Sequence, residues 1–251
     1  MKRIKLEIAY DGTNYCGWQT QPNGRAVEEI INNKLSLLFN EDIEVIGASR
    51  TDSGVHALAN VAVFDTDARM PAAKIAFALN QRLPESIVIQ SSVEVPLDFH
   101  PRYCYSTKTY EYKILNCRFE CPTKRLYTHF MYQNLNVEAM QEAAKYIVGE
   151  HDFKSFCSCK TRVVSTVRTV YSLEVNKNDD IISIKICGNG FLYNMVRIIV
   201  GTLIKVGQEI YKPEDIKDII CAKDRAAAGP KAPAKGLTLV KIDYENTGVL
   251  Q

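Results

Sequence analysis

The sequence predicts an α+β protein: two ferredoxin-like-type lobes sharing a mostly antiparallel sheet, with helices on one face. Three observations lead there. Stretches of period-2 apolar alternation interleave with stretches of helical period along the chain. The order strand, helix, strand, strand, helix, strand read in the first half is resembled by the second. With 46% hydrophobic content, 251 residues are enough for one large sheet unit or two modest lobes with their own cores, which excludes a disordered chain. The boundary is expected near Pro101, giving lobes 1–101 and 102–251.

The first strand rests on Ile4, Leu6, Ile8 and Tyr10 alternating with Lys5, Glu7 and Ala9, and Asp11-Gly12-Thr13-Asn14 ends it as a turn. Val27, Ile30, Ile31, Leu35 and Leu38 then fall at helical spacing, with Glu28 and Glu29 in the first turn, where the helix dipole favours anions. Strands are expected over Ile43 to Gly47 and Asn60 to Phe64. A helix opened by Pro71 follows, with Ile75, Leu79 and Leu83 inward, then a strand from Ile87 to Val93.

In the second half, strands are expected over Tyr105 to Leu115 and Leu126 to Tyr132. A helix capped by Asn136 then carries Met140, Ala144 and Ile147 inward and exits at Gly149. The turn Asn176-Lys177-Asn178-Asp179-Asp180 between Thr169 to Val175 and Ile181 to Ile186 signals a hairpin. A helix from about Phe191 to Val206 stops at Gly207. Another opens at Pro213 and Glu214 and carries Ile216, Ile219 and Ile220, and a final strand runs from Leu237 to Ile242.

Thirty-one Lys and Arg against 29 Asp and Glu leave a formal net charge of +2, so a nucleic-acid partner would have to be held by local patches. The N-terminus alternates charges among apolar residues, unlike a signal or transit peptide. The longest apolar run is broken by Asn194 and Arg197, so a soluble, cytoplasmic protein without a membrane segment is expected. Of eight cysteines, the close pairs Cys117-x3-Cys121 and Cys157-x-Cys159 lack the two-residue spacing of zinc knuckles. Reduced cytosolic thiols, and no metal, are the expectation.

Chemistry concentrates in Gly47-Ala48-Ser49-Arg50-Thr51-Asp52-Ser53-Gly54-Val55-His56-Ala57, which sets a carboxylate just past a strand end, where scaffolds present reactive groups. If the strand continues, Arg50 and Asp52 share a face, and the cation keeps the carboxylate ionised. That suits a nucleophile or electrostatic stabiliser rather than a general acid. The bland alternative is an Asp-turn beside a surface Arg.

The segment resembles the Arg-Thr-Asp-x-Gly-Val-His signature of the tRNA pseudouridine synthase A family. Further blocks are similar to that family in its order: Tyr10-Asp11-Gly12 with Gly17-Trp18-Gln19-Thr20-Gln21, Asp98-Phe99-His100 with Lys108-Thr109-Tyr110-Glu111-Tyr112, and Gly149-Glu150-His151-Asp152-Phe153 with Arg168-Thr169. Gly188-Asn189-Gly190-Phe191-Leu192-Tyr193-Asn194-Met195-Val196-Arg197, Ala228-Gly229-Pro230, and Ala232-Pro233-Ala234-Lys235-Gly236-Leu237 follow. The resemblance covers essentially the whole chain. Cys16, Ser53, Pro101 and Lys231 depart from the usual residues. None removes a presumed catalytic group, and Pro101 and Lys231 bear on substrate range.

The resemblance implies isomerisation of uridine to pseudouridine in the anticodon stem-loop of tRNA, at tRNA positions 38 to 40, by a homodimer that needs no cofactor and no nucleotide. It assigns the nucleophile to Asp52, which attacks C1′, or promotes a glycal, or attacks the uracil ring. It has Tyr110 stack on the flipped uracil and take the C5 proton, and Arg197 pair with Asp52 across the lobe interface. Arg50 joins them as ion-pair partner or as a wedge that displaces the base. Phe191 and Leu192 are candidates for the slot that receives the base, or are core. Lys154, Lys160, Arg162 and Arg168 crowd one stretch and are candidates for holding phosphates. His56 and His100 are expected to be structural, and Trp18 a structural or RNA-facing anchor. Two other readings compete with this one. A pure RNA-binding module gains nothing from a buried carboxylate facing phosphates, and a nucleoside hydrolase needs a second catalytic carboxylate that does not stand out.

Overall fold

The computed structural model describes residues 1–22, 24–158 and 164–244. They form two compact units, one of Met1–Ser106 with the C-terminal stretch from Thr238, the other of Thr107–Leu237. Both are mixed α+β with mostly antiparallel pairing, and five α-helices occur among the described residues.

In the first unit, β1 (Lys2–Tyr10) lies between β3 (His56–Thr66) and β4 (Ile87–Val95), antiparallel to both. The alternation in β1 puts Ile4, Leu6 and Ile8 fully inside, with Ile4 opposite Phe64 and Leu6 opposite Ala62. The far edge of β3 is shared. Near its start it pairs in parallel with β10 (Leu237–Tyr244), through Thr238 opposite His56. Further on it pairs with the two-residue β2 (Ile46–Gly47). The last strand, expected in the second lobe, thus completes the first unit's sheet. Its end holds the 99–101 segment: the Tyr244 ring meets Phe99 at 5.1 Å, and its hydroxyl donates to the Pro101 carbonyl (2.9 Å).

Helix α1 (Val27–Phe39) buries Val27, Ile30, Ile31 and Leu35 as its spacing requires. Helix α2 (Ala72–Asn80) begins after Pro71 and is tied to β4 by Ser92, whose hydroxyl accepts from the Ala76 amide (2.9 Å) and donates to the Ala72 carbonyl (2.7 Å). It ends before Leu83, which is half-buried just past its terminus.

In the second unit, β5 (Ser106–Asn116), β9 (Ile181–Gly188), β8 (Val167–Asn178) and β7 (Gly149–Asp152) lie in that order, all antiparallel. The β8–β9 hairpin is tighter than expected, because Asp179 adopts φ 51° and lets Asn178 pair directly with Ile181. Strand β6 (His129–Met131) runs parallel to β5 and is shorter than the predicted 126–132. The turn closed by Tyr127 N–H to the Lys124 carbonyl and the Thr128 hydroxyl on that same carbonyl take the residues before it. Gly149, which the sequence pattern predicts as a helix exit, instead opens the additional strand β7 at φ 117°.

Helix α3 (Val137–Lys145) is capped as predicted, the Asn136 side chain accepting from the Ala139 amide at 3.0 Å. Helix α4 (Met195–Gly207) is buried at every position but Lys205. It starts four residues later than predicted because Asn194 is left-handed, and Gly207 is its last residue rather than its stop. Gly201 lies so close to the Pro230 carbonyl that a side chain would collide with it, so α4 and the 228–233 segment pack backbone to backbone. Helix α5 (Asp215–Ala222) buries Ile216, Ile219 and Ile220.

Candidate active site

The loop carrying Asp52 leaves β2 at Gly47 and enters β3 at His56, and the N-terminal block holds it in place. The Tyr10 hydroxyl lies 2.7 Å from that of Thr51, and Asn60, fully buried in β3, donates to the Tyr10 hydroxyl (3.4 Å) and the Ser49 carbonyl (3.1 Å). The Trp18 amide donates to the Thr51 carbonyl (3.1 Å), and the Tyr15 carbonyl accepts from the Gly54 amide (3.3 Å) and the Ser53 hydroxyl (3.2 Å). Gly17, at φ 110°, permits this approach: a Cβ there would sit 2.6 Å from the Thr51 carbonyl oxygen. The Val55 amide closes the turn on the Asp52 carbonyl (3.1 Å). Backbone on both sides of Asp52 is therefore bonded to a separate part of the chain, while its own side chain is half-buried.

Trp18 is 1% exposed and donates through Nε1 to Glu28 on α1 (3.2 Å), so of the two roles considered it is the structural anchor. His56 is likewise structural: buried, its Nδ1 accepts from the Gly12 amide (3.0 Å) and lies 3.2 Å from the Asp11 carboxylate. His100 stacks on Tyr103 at 4.1 Å and accepts from the Arg102 amide at 3.2 Å, while burial holds its pKa below the usual histidine value. Arg50 is exposed, and among the described residues it forms no ion pair with Asp52. The strand on which the two would share a face stops at Gly47.

The second unit carries the other candidates. Tyr110, opposite Ile186 in β5, is 7% exposed and meets the edge of Phe191 at 5.4 Å and 89°. Phe191 is half-buried and Leu192 buried. Arg197, 9% exposed on α4, donates from Nε to the Ala232 carbonyl (2.8 Å) and from Nη1 to Asn194 Oδ1 (3.4 Å). Beside it, burial drives the Tyr112 phenol well above its usual pKa, opposed by the Arg197 charge. Its hydroxyl donates to the Pro233 carbonyl at 2.9 Å.

The turn before α4 is bonded to β8, with Asn189 N–H to the Thr169 carbonyl (3.1 Å) and the Thr169 amide to Asn189 Oδ1 (3.0 Å). Next to it, half-buried Arg168 donates from Nη1 to the Ser165 (3.0 Å) and Val167 (2.6 Å) carbonyls, and burial draws its pKa down. Lys154 is exposed on a single 3-10 turn, Phe153–Phe156. Lys160, Arg162 and Cys159 lie outside the described residues. Cys117 and Cys121 are free thiols bonded within their own loop, to the Phe119 carbonyl (3.0 Å) and the Thr123 hydroxyl (3.2 Å). Among the described residues no group of three or more His, Cys, Asp or Glu is placed to hold a metal ion, and no helix is long and apolar enough to cross a membrane.

The braces were the part hidden from sequence reasoning. Asn60, a polar residue inside an apolar strand, was the available signal for one, and Asn194, a helix breaker inside an apolar run, for another.

A mixed α+β chain that braces a carboxylate on a strand-end loop and holds a buried cation and tyrosine on a second unit carries the kinds of side chain with which enzymes perform nucleophilic and acid–base chemistry. Comparison with known proteins makes this specific. The family described as tRNA pseudouridine synthase matches residues 7–104 and 143–245, and the chain belongs to that family. It is similar to tRNA pseudouridine synthase A of a Thermoanaerobacter species (strain X514), 47% identical over 97% of this chain and 100% of that one. It is 50% identical to the protein of that name from Ruminiclostridium cellulolyticum and 48% to that from Brevibacillus brevis, each over 97% of this chain and 100% of the relative.

Proposed function

We infer that this chain is an isomerase that converts uridine to pseudouridine in the anticodon stem-loop of tRNA. The observation that carries the reading is near-half identity, end to end, with proteins named tRNA pseudouridine synthase A. The reaction breaks the N1–C1′ glycosidic bond, joins C1′ to C5, releases the C5 proton and returns one to N1. The atoms balance within the nucleotide, and no redox partner or hydrolytic water enters.

Asp52 is the nucleophile. A half-buried carboxylate whose flanking backbone is held by Trp18 and Tyr15, with Tyr10 on the neighbouring Thr51 hydroxyl, supports that role, because an attacking group gains rate from being fixed before the substrate arrives. Attack at C1′, formation of a glycal and attack on the ring all use this carboxylate. Tyr110 stacks on the flipped base and accepts the C5 proton, Phe191 and Leu192 line its slot, and Arg197 supplies the cation for Asp52. Arg50, exposed next to Asp52, takes the wedge role, and Lys154 and Arg168 hold phosphates.

The strand order β4-β1-β3 with β2 on β3 supports a ferredoxin-like reading of the first unit. The enzyme acts as a homodimer in the cytoplasm, without cofactor, which light scattering and cell fractionation test directly.

The deciding experiment is tritium release from tRNA transcripts labelled at uridine C5. Wild type releases label and Asp52→Ala does not, while both bind the transcript. Equal release by the two would end the assignment of Asp52, and release by neither would leave a binding protein.

A further inference from the structure

Asn194 stands where a helix cap should, yet it does not cap. Capping residues are normally extended and turn their side chain onto the free amides of the first turn. Asn194 has φ 63° and ψ 4°, and its side chain bonds none of the α4 amides. It is 7% exposed, and its amide is used at both ends: Nδ2 donates to Ser158 Oγ at 2.7 Å, and Oδ1 accepts from Arg197 Nη1 at 3.4 Å. A left-handed asparagine costs less than most side chains but more than glycine, which would satisfy the backbone here. The conformation is kept together with a side chain that reaches one helical turn onward to Arg197.

We propose that Asn194 is a positioning residue that sets the plane of the Arg197 guanidinium, with Ser158 holding Asn194 in turn. This rests on the reading of Arg197 as the cation that serves Asp52. A guanidinium on a flexible stem has many directions available. Two bonds from different nitrogens, Nε to the Ala232 carbonyl at 2.8 Å and Nη1 to Asn194, define a plane. The first is tied to the helix itself, because the Ala232 amide donates back to the Arg197 carbonyl at 3.0 Å. The second depends on a side chain and can be removed without touching the backbone. The 3.4 Å bond is long, so its contribution is to direction more than to binding strength.

Full-length Asn194→Gly, Asn194→Asp, Arg197→Ala and the Asn194→Gly/Arg197→Ala pair would be compared with wild type by tritium release and thermal melting. Glycine accepts the backbone and deletes the amide. Its kcat should fall about 10- to 100-fold with KM for tRNA unchanged and melting within a few degrees of wild type. Asn194→Asp keeps an acceptor for Arg197 and should retain most of kcat, and the pair should be no slower than Arg197→Ala alone. Wild-type kcat in Asn194→Gly, multiplying losses in the pair, or an Asn194→Asp as slow as Arg197→Ala would each overturn the proposal. If glycine prevents folding, the aspartate variant decides by the same criterion. A wild-type rate in Arg197→Ala would instead remove the role given to Arg197, an outcome distinct from failure of Asn194 alone.

Discussion

Gly17 shows how much of the site is set by one residue. Its φ of 110° and the 2.6 Å that would separate a Cβ from the Thr51 carbonyl oxygen make it the point where the N-terminal block touches the backbone before Asp52. Gly17→Ala must either strain or push that backbone away. We expect a loss of about 1–3 kcal/mol of stability, read as a lower urea midpoint, and a fall in kcat in the molecules that still fold. An unchanged midpoint and rate would mean the loop is not held where the Trp18 and Tyr15 bonds place it. Cys16 and Ser53, the departures noted beside these contacts, are accommodated: the Cys16 amide bonds the Arg25 carbonyl (3.0 Å), and the Ser53 hydroxyl adds a bond to Tyr15.

At the scale of elements, β1 and β3 are joined by a charge pair as well as by their ladder. Arg3 and Asp65 face each other in register and share two bonds of 2.7 Å, and the Arg3 guanidinium also donates to the Phe99 carbonyl (3.0 Å). Hydrogen bonding from Arg3 lowers the Asp65 pKa below its ordinary value. A carboxyl with a depressed folded pKa contributes stability that is present above its unfolded value of about 4 and lost as pH falls through the folded one. Asp65→Asn should therefore lower the urea midpoint near pH 7 and converge with wild type only once pH has fallen below the folded pKa of Asp65. The pair is partly solvated, so the gap at neutral pH should be about 1 kcal/mol or less. A gap that persists in acid would show that shape, not charge, is what the variant lost.

The same scale shows where sequence patterns were sufficient. The strands β1 and β4 and the helices α1, α3 and α5 were legible because each buries one face, and a buried face imposes its period on the sequence. Helix α4 is buried all round, so its apolar run carries no period that marks its start, and the left-handed Asn194 sets that start instead. Strands β2 and β6, with two and three residues, are shorter than the expected 43–47 and 126–132, and the four-residue β7 was not expected; at such lengths alternation sets no bounds, and pairing with a neighbour defines the strand.

For the molecule as a whole, a net charge of +2 supplies little long-range attraction for a polyanion. Binding of tRNA should then depend on a few placed cations. KM for tRNA is expected to rise with salt, and Lys154→Ala and Arg168→Ala should each raise KM at low salt and reduce the salt slope by about one, leaving kcat near wild type. Arg168 is the more telling variant, because its carbonyl partners fix it in place whereas Lys154 is exposed. A slope unchanged in both would move the phosphate contacts elsewhere on the surface.

By itself the sequence determined the α+β class, most of the elements and, through blocks such as Arg50-Thr51-Asp52 and the Gly188 to Arg197 run, the family and the residue expected to act. These are short-range properties: burial of one face and a run of functional side chains both leave their mark within a dozen residues. The tertiary structure alone decided that the last strand returns to pair with β3, that Trp18 anchors to Glu28 on α1, and that the Asn194 side chain bonds Arg197 and not the amides of its own helix. Each of these depends on a partner distant in sequence or on a single left-handed backbone angle, and neither produces a period that a linear pattern can carry.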